Sequence, residues 1–187
     1  GSGRFCTRIN GALPGVARDI AYRAVRNRGT IGGSLSHADP AAVWISCLTA
    51  LGAEVLIRGP EGPRACAVDV FMTGVFEVAL EPGEVLEAVR IPRLSASARW
   101  GFCKVSRKTG EMAQAIGAVL HDPERAVFRA VIGAIESVPI VFPDASALFG
   151  GKSPVARPGA FDAGAAARAL EAAGIVDPAD SQIHVAA

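Results

Sequence analysis

A short glycine-rich stretch, residues 29–34, has the clearest chemical potential in the sequence. It contains Gly29, Gly32 and Gly33, together with one threonine and one serine, and a capped helix is predicted directly after it. Glycine lets a backbone approach an anion closely, and the N–H groups of such a stretch point at phosphate oxygens. The two hydroxyl groups add further donors. The chemistry indicated is therefore the binding of a phosphate group.

The glycine spacing matches neither of the common nucleotide-binding loops. The GxGxxG dinucleotide pattern is absent, no convincing strand precedes the stretch, and the Lys-Ser/Thr ending of a P-loop is missing. Two interpretations therefore stay open from the residues alone. One is a phosphate cradle, and the other is a tight turn where two elements pack.

The cysteines and histidines do not form a predicted metal site. Long gaps separate the four cysteines, no CxxC pair occurs, and the three histidines are scattered. Zinc and iron–sulfur sites need clustered ligands. Cys47 and Cys103 lie inside apolar runs, which predicts buried, reduced thiols. We expect no metal in this chain, and no nucleophile–base pair that would make it catalytic by itself.

A helix and a hairpin are predicted to hold the glycine-rich stretch. Asp39 is a candidate N-cap, Pro40 suits the first helical turn, and Gly52 ends the helix. Three apolar residues at i, i+4 and i+7 predict one apolar face that packs on a sheet: Trp44, Leu48 and Leu51. Residues 54–59 and 64–68 then predict a hairpin, and residues 85–91 a further strand.

The pattern changes after residues 92–97, where a proline precedes small polar residues, and we predict a domain boundary there. Three strands follow in an antiparallel meander, over residues 99–106, 114–121 and 126–135. An alanine-rich helix is predicted over residues 162–173, and the last residues carry no clear element.

Composition excludes two classes of partner. The chain has 187 residues, 50% of them hydrophobic, and its 19 basic and 18 acidic residues leave a net charge of +1. Nucleic-acid binding needs a strongly basic face, so no nucleic acid is expected. No segment reaches the roughly 20 apolar residues of a transmembrane helix. Gly1 and Ser2 read as a scar of tag removal, no signal peptide is recognised, and a cytoplasmic location is expected.

The run Arg-Asn-Arg-Gly-Thr-Ile-Gly-Gly-Ser-Leu-Ser-His-Ala-Asp-Pro, at positions 26–40, resembles a flavin motif. It is similar to the second FAD motif in the medium subunit of the carbon monoxide dehydrogenase and xanthine dehydrogenase family of molybdenum hydroxylases. Four further segments continue the likeness: residues 53–60, 80–86, 104–113 and 181–184. The likeness therefore covers most of the chain.

This resemblance implies an α+β fold in two units. Residues 1–94 would form the second half of a mixed α/β FAD-binding subdomain of the PCMH type. Residues 95–187 would form an antiparallel three-stranded sheet with helices, like the C-terminal domain of the family's flavoproteins.

The resemblance also implies the cofactor contacts. The backbone of five residues would hold the FAD pyrophosphate: Thr30, Ile31, Gly32, Gly33 and Ser34. Asp39 would lie near the ribose and ribityl groups, although a plain helix cap is the alternative. Lys104, Arg107 and Glu111 would face the isoalloxazine ring between the two units. For Arg107 and Glu111 the alternative is a solvent-exposed turn, and for Lys104 a side chain that points to water.

The implied function is that of an oxidoreductase component that transfers electrons. In the family, a large subunit holds the molybdenum cofactor and oxidises the substrate. Electrons then pass through a small [2Fe-2S] subunit to FAD on the medium subunit, and from there to an external acceptor. The oxidised substrate would be selected on another subunit, so this sequence does not identify it.

Three departures from the family keep other hypotheses open. Only 25 residues precede Arg26, and none of them matches the family's earlier Ala-Gly-Gly motif, which forms the other wall of the pyrophosphate site. Val43 and Ile45 replace an acidic residue and a proline. The chain could therefore be a truncated or degenerate scaffold subunit that does not retain FAD. A third hypothesis is a site for a smaller phosphorylated ligand.

Overall fold

Two antiparallel sheets form the framework of the chain, whose computed structural model describes residues 4–6, 12–151 and 160–187. The larger sheet has five strands, in the order β1 (Arg4–Cys6), β7 (Arg99–Val105), β8 (Ala115–Asp122), β9 (Val127–Gly133) and β10 (Ile140–Phe142). The smaller sheet has the order β3 (Gly62–Ala67), β2 (Glu54–Gly59) and β6 (Val85–Arg90). A two-stranded ribbon joins β4 (Met72–Gly74) to β5 (Glu77–Val78).

Seven α-helices occur within the described residues, and several of them are a single turn or two. They are α1 (Ala12–Arg18), α2 (Arg23–Arg26), α3 (Ile31–His37), α4 (Val43–Leu51), α5 (Val68–Phe71), α6 (Ala163–Ala172) and α7 (Pro178–Ala186). Short 3₁₀ turns lie at Pro123–Arg125 and Ala145–Phe149.

Helix α4 is the centre of the core, and all nine of its residues are buried. It packs on β8 and β9 and also contacts α1, α3 and α5. The prediction of a single apolar face was therefore incomplete, because other elements cover the remaining sides. Gly133 permits the close approach to β9, since a Cβ atom there would overlap Ser46 Oγ. Gly52 ends the helix in the left-handed conformation, with φ of 68°, as predicted.

The hairpin and the meander form where the sequence predicts them. Strands β2 and β3 pair from Glu54↔Ala67 to Gly59↔Gly62, and β6 adds to the other edge of β2. Strands β7, β8 and β9 are consecutive antiparallel neighbours. The α+β fold class is confirmed.

The larger sheet differs from the three-stranded expectation because strands join it at both edges. Strand β1 comes from the start of the chain and pairs with β7, with Phe5 opposite Gly101. Strand β10 pairs with β9, with Val141 opposite Val131. Pairing between distant segments leaves no mark in a local sequence pattern.

The prediction that the last residues carry no element was wrong. Helix α7 occupies them, and Asp177 caps it by accepting hydrogen bonds from the N–H groups of Ala179 and Asp180, at 2.8 and 3.1 Å. Pro178 stands at the first helical position, which suits its missing N–H group. The Asp-Pro pair at positions 177 and 178 could therefore have predicted the start of this helix.

The predicted boundary at residues 92–97 is firmly attached to the larger sheet. Ser95 donates from its N–H group to Asp122 Oδ2 at 3.0 Å and from its hydroxyl to Asp122 Oδ1 at 2.5 Å. Asp122 is fully buried at the end of β8. The division of the chain at residue 94 stays a prediction. Among the described helices, none combines the length and the apolar character needed to cross a membrane.

Candidate functional site

The glycine-rich stretch is the first turn of helix α3 and not an open loop. Thr30 is its N-cap, with extended backbone angles (φ −120°, ψ 156°). Its Oγ1 atom accepts a hydrogen bond from the Gly33 N–H group at 2.9 Å, and its carbonyl accepts one from Ser34 at 3.1 Å. Glycine is a poor helix former, which explains the sequence-based expectation of a loop, but the threonine cap stabilises the turn.

Two backbone amides of this turn have no partner within the helix. The N–H groups of Ile31 and Gly32 precede Ser34, the first residue whose N–H group donates to a carbonyl one turn back, so they are left without an acceptor in the helix. A Cβ atom at Gly32 would meet only Leu86 Cδ2, at 3.6 Å, whereas one at Gly33 would lie 2.9 Å from Thr30 Oγ1. The Gly32 amide could therefore bind an anion, whereas the Gly33 amide is already bonded to the threonine cap.

Asp39 does not cap α4, and that expectation was wrong. Helix α4 begins at Val43 with Ala42 as its N-cap residue. Asp39 Oδ1 instead accepts a hydrogen bond from the Ala41 N–H group at 2.9 Å. Pro40 likewise lies before the helix and not in its first turn, and its carbonyl accepts a hydrogen bond from the Ala134 N–H group, just after β9, at 3.1 Å.

Helix α3 is anchored at its other end by the ribbon β4–β5. Ala38 adopts the left-handed conformation (φ 51°), and its carbonyl accepts a hydrogen bond from the Phe76 N–H group at 3.0 Å. The rings of His37 and Phe76 lie 5.0 Å apart, centre to centre. Leu35 is buried in the core. These contacts fix the direction in which the first turn of α3 points.

Lys104 is bonded to the backbone of two other segments. Its ammonium donates to the Asp19 carbonyl at 3.0 Å and to the Glu111 carbonyl at 2.7 Å. Burial lowers the pKa of Lys104, and the charge of Asp19 partly opposes that shift. The alternative of a side chain pointing to water was therefore wrong. The ammonium fixes the position of the Glu111 segment.

Arg107 and Glu111 flank a tight turn between β7 and β8. Arg107 is exposed, Glu111 is half-buried, and the Glu111 N–H group donates to the Lys108 carbonyl at 3.2 Å. Gly110 adopts φ of 89°, a conformation that favours glycine.

Tyr22 is a neighbour of this turn that the sequence did not reveal. A Cβ atom at Gly110 would lie 2.6–2.9 Å from three atoms of the Tyr22 ring, so the glycine backbone packs directly on that ring. We call the group Asp19, Tyr22, Lys104, Gly110 and Glu111 the junction. No local pattern connects residues so distant in the chain. Most candidate residues therefore fall into two groups, the first turn of α3 and the junction, whereas Asp39 and Arg107 belong to neither group.

A cavity of about 820 Å³ lies apart from both groups. It opens between the larger sheet and α7, and its lining includes Gly101, Cys103, Gly117 and Ala187. None of the nine residues proposed to contact FAD lines it. Within the described ranges, no three His, Cys, Asp or Glu side chains cluster closely enough to hold a metal ion.

Cys47, Cys66 and Cys103 are free thiols. Cys47 is buried in α4, whereas Cys66 and Cys103 are only partly buried. Burial raises the pKa of Cys47 to about 12, so this thiol stays protonated and unreactive at neutral pH.

Comparison with known proteins gives a consistent result. Residues 4–94 match a family described as the FAD binding domain in molybdopterin dehydrogenase. The carbon monoxide dehydrogenase medium chain of Hydrogenophaga pseudoflava is 37% identical over 108 residues, which are 58% of this chain and 38% of that protein. The nicotine 6-hydroxylase medium subunit of Paenarthrobacter nicotinovorans is 33% identical over 159 residues, or 82% and 55% of the two chains.

Solved structures share the fold. Carbon monoxide dehydrogenase from Hydrogenophaga pseudoflava, in a form lacking the Mo-pyranopterin moiety, aligns with a TM-score of 0.72 and 31% identity over 92% of this chain and 59% of that one. Quinoline 2-oxidoreductase from Pseudomonas putida 86 aligns with the same TM-score and 29% identity, over 94% and 63%. This chain spans less than two thirds of each of these relatives. Residues 4–94 are therefore similar to the FAD binding domain in molybdopterin dehydrogenase, and the chain is similar to the medium chain of carbon monoxide dehydrogenase and the medium subunit of nicotine 6-hydroxylase.

Proposed function

We propose that the chain is the FAD-binding, electron-transferring component of a molybdenum hydroxylase-type dehydrogenase. The observation that carries this proposal is the capped first turn of α3, which lies inside the family match and leaves two amides without an acceptor in the helix. An anion is favoured there both by the amides and by the positive end of the helix dipole. The FAD diphosphate is an anion of the required kind.

The described residues would divide the work of holding FAD. Ile31 and Gly32 would donate their N–H groups to the diphosphate, with the Ser34 hydroxyl nearby, while Thr30 and Gly33 maintain the turn. Asp39 keeps Oδ2 for a ribose or ribityl hydroxyl, because its Oδ1 accepts from Ala41. When bound, FAD supplies the redox chemistry, and the protein positions it and adjusts its surroundings.

The turn alone supports only weak binding. Two charge-assisted hydrogen bonds contribute about 3–6 kcal/mol, which corresponds to a dissociation constant of roughly millimolar at the midpoint. Tighter binding therefore depends on contacts with the ribityl chain and the ring. Lys104, Arg107 and Glu111 belong to the segment that we assign to those contacts.

The partners follow from the same proposal. A small subunit with [2Fe-2S] clusters would deliver electrons to the flavin, and an external acceptor would receive them. A large subunit with the molybdenum cofactor would oxidise the substrate. The proposed location is the cytoplasm.

The decisive experiment is a titration of the purified chain with FAD, followed by flavin absorbance and fluorescence. The informative variant is Gly32→Ala, because its methyl group would meet only Leu86 Cδ2, at 3.6 Å, and would stand on the residue whose amide we assign to the diphosphate. Gly15→Ala is the matched control, since a Cβ atom at Gly15 meets nothing within 4 Å.

We expect saturable binding by the wild-type chain and by Gly15→Ala. Binding by Gly32→Ala should be about tenfold weaker, the loss of roughly one charge-assisted hydrogen bond. In the absence of FAD both variants should unfold at the wild-type temperature or slightly above it, because alanine is favoured over glycine in a helix. Equal affinity of both variants for FAD would disprove the diphosphate assignment.

A second candidate function is a scaffold subunit that holds its partners without FAD. Two observations favour it: the amides of Gly33 and Ser34 already bond to Thr30, and the buried Val43 offers no polar contact. Co-purification with large and small dehydrogenase subunits, in the absence of flavin, would select this function.

A further inference from the structure

Tyr22 is an exposed aromatic residue on an ordered backbone. Its side chain is 62% exposed, although an exposed ring contributes little to folding. Its carbonyl accepts hydrogen bonds from the N–H groups of Val25 and Arg26, at 3.0 and 3.2 Å. One guanidinium nitrogen of Arg26 also donates to the preceding carbonyls of Ile20 and Ala21, at 2.7 and 2.6 Å. The residue is therefore held firmly from both sides of the chain.

The ring of Tyr22 is positioned as well as its backbone. Gly110 lies against the ring, and only a glycine leaves enough space there. Lys104 reinforces the same contact, because its ammonium bridges the carbonyls of Asp19 and Glu111 on the two sides. An aromatic ring held in place before a ligand arrives loses little conformational entropy on binding, so it binds more tightly.

The open surface of this ring faces solvent at the junction between the two halves of the chain. Aromatic rings prefer to stack with an offset on other planar rings, and tyrosine combines an apolar ring with a polar tip. Of the parts of FAD, the isoalloxazine ring is the planar group assigned to the junction under the proposed function, on which this inference rests.

We propose that Tyr22 is a flavin-binding residue that stacks on the isoalloxazine ring. Arg26 and Lys104 are positioning residues, which act by holding Tyr22 and the Gly110 turn together. The cofactor would then contact the chain at two places: its diphosphate at the first turn of α3 and its ring at Tyr22.

The test compares two probes on three variants. FAD carries both the diphosphate and the isoalloxazine ring, whereas ADP carries the diphosphate without that ring. Affinities for FAD and for ADP are measured by calorimetry for Tyr22→Leu, Tyr22→Phe and Phe161→Leu. The last variant is a control, because Phe161 is 47% exposed and packs on Phe149, away from the junction.

Tyr22→Leu should weaken FAD binding by about tenfold, the upper range for one aromatic pair, and leave ADP binding unchanged. Tyr22→Phe should retain the wild-type affinity for FAD while the fluorescence of bound FAD rises, since a stacked phenol quenches flavin emission. Phe161→Leu should match the wild-type chain with both probes. Thermal unfolding without ligand should be similar in all variants.

Two results would overturn this inference but not the proposed function. The first is that Tyr22→Leu binds FAD with wild-type affinity. The second is that Tyr22→Leu loses affinity for FAD and ADP equally, which would mean that adenine stacks on Tyr22. Failure of the wild-type chain to bind FAD would contradict the proposed function and this inference together. The two kinds of failure are therefore distinguishable.

Discussion

At the scale of single residues, the ion pair of Arg64 and Glu84 connects strand β3 to the turn before β6. Arg64 on β3 donates from Nε and Nη2 to the two carboxylate oxygens of Glu84, at 2.7 and 2.6 Å. The N–H group of Glu81 donates to the same carboxylate at 2.7 Å. The bond from Arg64, followed by that from Glu81, lowers the pKa of Glu84 from 4.5 to about 2.

This shift predicts a pH-dependent contribution to stability. Because the folded pKa lies below the unfolded value, the ionised carboxylate stabilises the fold above pH 4.5, and that stabilisation is lost as the pH falls towards about 2. Replacing Glu84 by Gln should therefore lower the melting temperature at pH 7. The difference from the wild-type chain should shrink steadily between pH 4.5 and pH 2. Thermal unfolding followed by circular dichroism, at a series of pH values in this range, measures the difference.

Glu87→Gln is the matched control for this prediction. Glu87 pairs with Arg58 at 2.9 Å, but the two side chains are 45% and 57% exposed, so water screens the pair. Its replacement should change the melting temperature little at any pH. A constant difference between Glu84→Gln and the wild-type chain down to pH 2 would contradict the assignment.

The sequence shows which residues could form the candidate site, but it does not show which contacts those residues make. The glycines and Thr30 predicted either a phosphate cradle or a tight turn, because their backbone freedom and hydroxyl group act locally; the structure shows a capped helical turn, and phosphate binding stays a prediction. Lys104 was a candidate flavin contact, yet its ammonium binds two carbonyls, one of them 85 positions earlier in the chain. Tyr22 gave no signal at all. Both depend on tertiary contacts that no local spacing encodes.

At the scale of elements, two buried hydroxyl groups of helix α4 lower the stability of the protein. Within the described residues, the buried hydroxyl groups of Ser46 and Thr49 have no hydrogen-bond partner. A buried polar group without a partner destabilises a protein by about 1–3 kcal/mol. Thr49 is 3% exposed and has nearly the shape of valine.

Replacing Thr49 by Val should therefore stabilise the protein. We expect about 1 kcal/mol, or a rise of roughly 2–4 °C in melting temperature for a chain of this size. Ser95→Ala is the control, since the Ser95 hydroxyl bonds to the buried Asp122. It should destabilise by about 1.5–3 kcal/mol. If thermal melts showed that Thr49→Val is destabilising as well, Thr49 would have an undetected partner.

Elements with local signals were predicted from the sequence, and elements without them were not. The hairpin β2–β3 follows from its turn residues, and helix α6 begins at Asp162, whose carboxylate accepts from Ala165 at 3.0 Å. Helix α3 was read as a loop because glycine usually disfavours helices. Strand β1 has only three residues and depends on pairing with β7, so no periodicity could reveal it.

At the scale of the whole molecule, the two predicted units share one core. The cluster around α4 combines residues that precede position 94 with residues that follow it: Leu48, Val55, Trp100, Leu120 and Val131. Strand β1 also crosses the boundary to pair with β7. The family match ends at residue 94, but the packing is continuous across that position.

We therefore predict that the chain does not fold as two independent halves. Produced separately, residues 1–94 and 95–187 would each expose one side of the α4 interface, and the second fragment would also lack β1. Neither fragment alone should show a cooperative thermal transition. Their co-expression should restore a complex that elutes with the intact chain in size-exclusion chromatography and melts cooperatively. A sharp thermal transition in either isolated fragment would show that the boundary at residue 94 separates two autonomous domains.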